Sequence, residues 1–198
     1  MSRARWVQIS VVALLVVGSA PAEVLTFQAQ GVLEYVYDPG DQLDFDVGAT
    51  WTLTYVFDTE TEDTNGDPDL GSYPALDGVL EVDGAALPTS SPTVQVTNDL
   101  PTEIQDIYSV WMALPGFPDE LATMNLTDED GTIFSDDSLP LVPPDLGEFE
   151  STNLLIVKFG PPGEDYLAQG VVQTLTPEPA SAALLMLGGL SVLRRRGV

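Results

Sequence analysis

Two-residue alternation of apolar and polar side chains runs through much of the chain and constrains its fold more than any other feature. In residues 50–57, Trp51, Leu53, Tyr55 and Phe57 occupy every second position. Neighbouring residues of a β-strand point to opposite faces, so such a strand buries one face and exposes the other. The same alternation recurs at residues 93–97, 108–114 and 122–126. The chain is therefore predicted to be all-β.

Turn-forming sequences separate the predicted strands, among them Asp38-Pro39-Gly40, Asn65-Gly66, Asp83-Gly84 and Asp130-Gly131. Residues 24–37 and 166–175 are predicted as long first and last strands. Leu154–Phe159 is apolar on both faces except at Lys158, as in a central strand. Together these features predict an antiparallel β-sandwich of roughly eight strands, jelly-roll-like or Ig-like, with a closed barrel as the alternative.

Acidic residues dominate the body of the chain. The sequence contains 31 acidic and six basic residues, no histidine and no cysteine, and its formal charge is −25. Five of the six basic residues lie at the two ends, so residues 23–176 contain 30 acids and one lysine, Lys158. Such a body cannot neutralise a phosphate backbone, which argues against a nucleic-acid partner. Without histidine or cysteine, His-based triads, thiolate metal sites and disulfides are excluded.

The first 22 residues have the three parts of an export signal. Two arginines precede the apolar segment 7–17, and Ala20-Pro21-Ala22 supplies small residues at the positions read by signal peptidase. We expect an N-terminal signal helix at residues 1–22, handled by the Sec translocon and cut after Ala22. An uncleaved anchor is the alternative, although the apolar run is shorter than the about 20 residues of an ordinary membrane span.

Residues 177–198 have the features of a second targeting signal. Pro177-Glu178-Pro179 is followed by the apolar segment 180–193 and then by Arg194, Arg195 and Arg196. The apolar segment favours a short helix, which at about 1.5 Å per residue falls short of the ~30 Å hydrocarbon core. The arginines are expected to hold its end in the cytoplasm, so that the body lies outside the inner membrane before processing.

This tail resembles the PEP-CTERM sorting signal of Gram-negative bacteria, in the Pro-Glu-Pro motif, the apolar helix and the arginine cluster. The resemblance implies that a membrane-embedded exosortase processes the tail and transfers the protein to the cell surface or releases it. Carriers of this signal are common in bacteria that make exopolysaccharide, which makes exopolysaccharide a candidate partner. An ordinary tail anchor is the alternative. The implied division is a signal peptide at 1–22, an acidic β domain at 23–176 and a sorting signal at 177–198.

The stretch Asp58–Asp69 is the one segment whose pattern points to a ligand. Asp63, Asn65, Asp67 and Asp69 alternate along it, as oxygen ligands do in calcium loops. Calcium is therefore the candidate cofactor, and a solvated acidic turn is the alternative. The segment is no EF-hand, because Gly66 precedes Asp67 and no predicted helix flanks it.

No catalytic residue is predicted. Lys158 alone could serve as a base for a serine nucleophile, and a strand lysine that faces solvent or pairs with a carboxylate is the favoured interpretation. We therefore predict an exported, non-enzymatic protein of the cell surface or extracellular matrix, structural or adhesive in role. A calcium-assisted carbohydrate-binding module is one alternative, which exposed aromatic side chains aligned on one sheet face would favour. A secreted hydrolase that uses carboxylates is the other.

Overall fold

The structure is a computed structural model that describes residues 23–90, 92–99, 104–114, 120–158 and 165–178. Its strands are β1 (Val24–Tyr37), β2 (Thr50–Asp58), β3 (Leu70–Pro74), β4 (Asp77–Val82), β5 (Ala85–Leu87), β6 (Thr93–Thr97), β7 (Asp106–Ala113), β8 (Glu120–Asp128), β9 (Ser151–Lys158) and β10 (Tyr166–Pro177). A single turn of 3-10 helix at Leu146–Glu148 precedes β9. The all-β prediction is confirmed, whereas the predicted helices at the two ends lie outside the described residues.

All ten strands belong to one antiparallel sheet that curls into a half-barrel. Their order is β3-β6-β7-β8-β9-β10-β1-β2-β4-β5. We expected two separate sheets, and the structure has one continuous sheet instead. The reason is that the long strands β1 and β10 pair with each other and so join the two groups of strands that a sandwich would keep apart.

A short connection brings the two halves of the curled sheet together. Strand β3 pairs with β6, whereas β4, which follows after only two residues, pairs with β2. The Ala75 amide donates to Pro92 O at 2.9 Å, and the Leu76 amide donates to Val56 O at 2.7 Å. The chain thus passes from one half of the sheet to the other, as strands that switch between layers do.

The alternating apolar side chains face the interior of the curl. Trp51, Leu53, Tyr55 and Phe57 are at most 1% exposed, which confirms the predicted inner face of β2. One half of the sheet contains β3, β6, β7, β8 and β9, and the other contains β10, β1, β2, β4 and β5. The hydroxyls of Tyr55 on β2 and Tyr108 on β7, which belong to different halves, lie 2.9 Å apart. The two halves therefore pack face to face and share one core.

Two glycines make room for Trp51, the largest buried side chain. A Cβ atom on Gly31 of β1 would lie 2.7 Å from the indole ring, and one on Gly170 of β10 would lie 2.6 Å from its Nε1. The indole therefore lies directly against the backbone of the two central strands. Its Nε1 is buried and has no hydrogen-bond partner among the described residues.

Candidate functional site

The acidic loop between β2 and β3 is held by its own side chains. Asp63 Oδ1 accepts hydrogen bonds from the amides of Asn65 at 2.8 Å and Ser72 at 2.7 Å. The side chains of Asn65 and Asp67 each accept a bond of 3.1 Å from the amide two residues further on. These are successive Asx turns, which stabilise a loop through its own backbone.

The four predicted calcium ligands, Asp63, Asn65, Asp67 and Asp69, follow one another along this loop. In the part of the chain that the structure describes, no group of three or more acidic side chains is placed to hold a metal ion. The oxygens that the Asx turns use are occupied by amides that would otherwise lack partners. Calcium binding by this loop stays a prediction.

Two carboxylates are buried at paired ends of β7 and β8. Asp106 and Asp128 are cross-strand neighbours, 0% and 2% exposed respectively. Asp106 Oδ2 accepts hydrogen bonds from the amides of Ile133 at 2.8 Å and Phe134 at 2.6 Å. Asp128 Oδ2 accepts one from the amide of Thr132 at 2.7 Å. Both carboxylates therefore anchor the loop that follows β8 onto the hairpin.

The hydrogen bonds that Thr132 and Asp130 donate lower the pKa of Asp128, although burial opposes them. Its carboxylate is therefore charged at neutral pH and stabilised by backbone dipoles. An aspartate before a glycine-containing turn normally indicates an exposed loop. Its burial could not be read from the sequence, because it depends on how the loop folds back.

Lys158, the only lysine of the body, lies in a cleft of about 570 Å³ beside the edge strand β5. Of the two predicted alternatives, the solvent-facing lysine is wrong, because Lys158 is only 7% exposed, and pairing with a carboxylate stays a prediction. Its Nζ donates to Gln42 Oε1 at 2.7 Å and lies 5.8 Å from the centre of the Tyr166 ring. The ammonium thus ties the β1–β2 loop to the end of β9 through a hydrogen bond and a cation–π contact.

The structure describes two of the predicted sorting residues. Pro177 is the last residue of β10, opposite Phe27, and the amide of Glu178 donates to Thr26 O at 2.9 Å. The last strand therefore runs one residue beyond the predicted domain end at 176. Proline is tolerated there because a strand end does not require its missing N–H. Pro179, Arg194, Arg195, Arg196 and the cleavage-site residues Ala20 and Ala22 lie outside the described residues.

The outward positions of five adjacent strands form a surface without charge, which we call the neutral face. Cross-strand pairing places fifteen residues of β7, β8, β9, β10 and β1 in three rows. The rows are Trp111–Thr123–Leu155–Gln169–Tyr35, Ala113–Leu121–Val157–Leu167–Tyr37 and Ser109–Asn125–Asn153–Val171–Val32. Roughly one body residue in five is acidic, so about three acids would be expected among them by composition. The acids of these five strands lie instead at strand ends, at Asp106, Glu120 and Asp128, and at the bulged Glu34.

Aromatic side chains stand at the two sides of the neutral face. Trp111 on β7 is 38% exposed, and Tyr35 and Tyr37 on β1 are 48% and 45% exposed. Between them, Thr123 and Val157 are buried, so the middle of the face is closely packed. Four strand spacings separate β7 from β1, which is about 19 Å measured along the curled sheet at 4.8 Å per strand.

One amide on the neutral face has a fixed orientation. The hydroxyls of Ser109 and Thr123 both donate to Asn125 Oδ1, at 2.8 and 3.3 Å. The amide is thus oriented with Oδ1 towards the two hydroxyls and with Nδ2 turned away from them. Its Nδ2 has no hydrogen-bond partner in the described ranges, and so it is available as a donor.

Comparison with protein-family models, with curated proteins and with solved structures finds no match to this chain. Within the described ranges, no helix has the length and apolar character needed to cross a bilayer.

Proposed function

We propose that this chain is an exported protein of the cell surface or extracellular matrix that acts by adhesion and not by catalysis. The export part rests on the sequence, through the signal segment 1–22 and the sorting tail 177–198. An exosortase is the proposed processing enzyme, and the inner membrane holds the chain before processing. The Sec translocon and signal peptidase act at the other end.

The neutral face is the observation that carries the adhesive part of the proposal. A body with a net charge near −29 repels other anions and draws cations to its acidic loops. A broad surface free of charge is the part of such a molecule that can approach an uncharged partner without an electrostatic cost. The acids for which hydrogen bonds are described above, Asp63, Asp67, Asp106 and Asp128, bind backbone amides, as structural carboxylates do.

Fractionation of cells that make the full chain tests this proposal. The body should appear at the cell surface, begin at Glu23 and lack the peptide that contains Arg194–Arg196. Washing in buffer should leave most of it attached to the surface layer. Replacing the three arginines by neutral residues should weaken retention in the membrane before processing, because the cytoplasmic stop is lost. A cytoplasmic protein that keeps both Met1 and Arg194–Arg196 would overturn the proposal.

A further inference from the structure

We infer that the neutral face binds a neutral polysaccharide, with Trp111 on one side and Tyr35 and Tyr37 on the other as stacking surfaces. This rests on the proposed function and names the partner of the proposed adhesive surface.

Charge decides which class of polymer the face can accept. The fifteen residues of the neutral face carry no charge, while the surrounding loops carry the acids of a body near −29. An anionic polymer would be repelled by that perimeter, and a cationic one would be drawn to the loops and away from the face. A neutral polymer meets neither effect.

The side chains of the face match the chemistry of a sugar chain. A pyranose ring has C–H faces that pack on aromatic rings and hydroxyls that both donate and accept hydrogen bonds. Trp111, Tyr35 and Tyr37 supply exposed rings with polar handles. Asn125 supplies an oriented N–H donor, and Gln169, between Leu155 and Tyr35 in its row, supplies a second amide. A purely apolar partner would leave these amides without hydrogen bonds.

The distance between the aromatic sides sets the size of the ligand. Along the curled sheet, about 19 Å separates the strand of Trp111 from that of Tyr35. Because the sheet is curled, a ligand that contacts both has to be an extended chain that crosses the strands along the outer curve of the sheet. A single small sugar would contact one side and bind more weakly.

A second copy of this chain is the rival occupant of the face. Pairing two neutral faces would bring two bodies of like charge together, a repulsion that is not screened completely at physiological salt, where the Debye length is about 8 Å. The neutral polymer carries no such cost, and so the charge favours it.

Native electrophoresis through gels that contain polysaccharide tests the inference with the exported protein. The probes are mixed-linkage β-glucan, galactomannan and pullulan as neutral polymers, with polygalacturonate as the anionic comparison. We expect at least one neutral polymer to retard the protein and polygalacturonate not to. Retardation should persist as salt is raised, because no ion pair is involved.

Variants assign the binding to the face. Trp111→Ala and Tyr35→Ala should each weaken binding about three- to tenfold, which is the value of one aromatic contact. Trp111→Phe should restore part of the loss. Val79→Ala, at a 40% exposed apolar residue of β4 outside the neutral face, is the matched control and should leave binding unchanged. Thermal melting of each variant confirms that it is folded.

Three results would overturn the inference: no retardation by any neutral polymer, retardation that Trp111→Ala and Tyr35→Ala leave intact, or a dimer in ultracentrifugation that Trp111→Ala dissociates without any glycan binding. The proposed function fails separately. A protein that binds neutral glycans in the gel but stays in the cytoplasm would keep the inference and remove the proposed location.

Discussion

The hydrogen bond between Tyr55 and Tyr108 links the two halves of the sheet where neither hydroxyl can reach water. Tyr55→Phe would leave the Tyr108 hydroxyl buried without that partner and should lower the free energy of unfolding by about 1–3 kcal/mol. The double variant Tyr55→Phe/Tyr108→Phe should cost less than the two single changes added together, since it removes both polar groups. Urea unfolding of the four proteins measures this, and strictly additive costs would contradict it.

The same pair predicts a loss of stability at alkaline pH. Burial raises the pKa of Tyr55 and of Tyr108 above that of a tyrosine in the unfolded chain, which is about 10. Below that pH both tyrosines are protonated in the folded and in the unfolded state, and their contribution to the free energy of unfolding is fully present. Above it, the unfolded chain releases protons that the folded protein retains, so stability falls as pH rises. The double phenylalanine variant should show a shallower fall above about pH 10 in thermal melts.

Gly31 is the glycine of the central strands that tolerates a side chain least. Its Cβ would lie 1.8 Å from Val171 O as well as against Trp51, and backbone cannot move aside as a flexible side chain can. Gly31→Ala should therefore destabilise the protein by about 1–3 kcal/mol or more. Gly66→Ala is the matched control, because nothing lies within 4 Å of its Cβ position. Equal midpoints for the two variants would show that the close packing around Trp51 is not required.

At the level of elements, Asp128 joins the β7–β8 hairpin to the loop that follows it. Because its pKa is lowered in the folded state, its contribution to stability is present above the unfolded value of about 3.9 and is lost as pH falls through that range. The midpoint of Asp128→Asn should lie below that of the natural protein at pH 7, and the gap should narrow towards pH 3. Glu62→Gln, an exposed residue of the acidic loop, should show little gap at either pH. A gap for Asp128→Asn that is independent of pH would contradict the role of its charge.

Strands that bury one face could be predicted from the sequence, and features that depend on distant partners could not. The strand at Trp51–Phe57 can be recognised from its own residues alone, since each inward residue is large and apolar. Strand β3 contains glycine, serine and proline in five residues and forms because β6 pairs with it. Lys158 is buried against Gln42, which lies 116 positions earlier. The neutral face appears only once the register aligns threonine, asparagine and glutamine positions from separate strands.

For the whole molecule, the large negative net charge causes electrostatic self-repulsion in the folded state. Self-repulsion in a body near −29 should be relieved by salt, since the Debye length falls to about 3 Å at 1 M. We expect the melting temperature of the exported protein to rise with sodium chloride. If the acidic loop binds calcium as the sequence predicts, calcium should raise the melting temperature more than magnesium does, and Asp67→Ala should abolish that difference. Equal rises in calcium and magnesium, unchanged in Asp67→Ala, would show that the loop is a solvated turn held by its Asx turns.

The position of β1 in the sheet determines when the sheet can be completed during synthesis of the chain. This strand is completed first during synthesis, yet one of its two partners, β10, is made only after the eight other strands. Pairing of such distant segments closes a loop that spans nearly the whole domain and so slows folding. The sheet therefore stays incomplete until the end of the chain arrives, and the long first strand waits with one edge unpaired. Because β10 completes the sheet, the full fold cannot form while the chain is still being synthesised. The growing chain can therefore still pass through a narrow translocation pore.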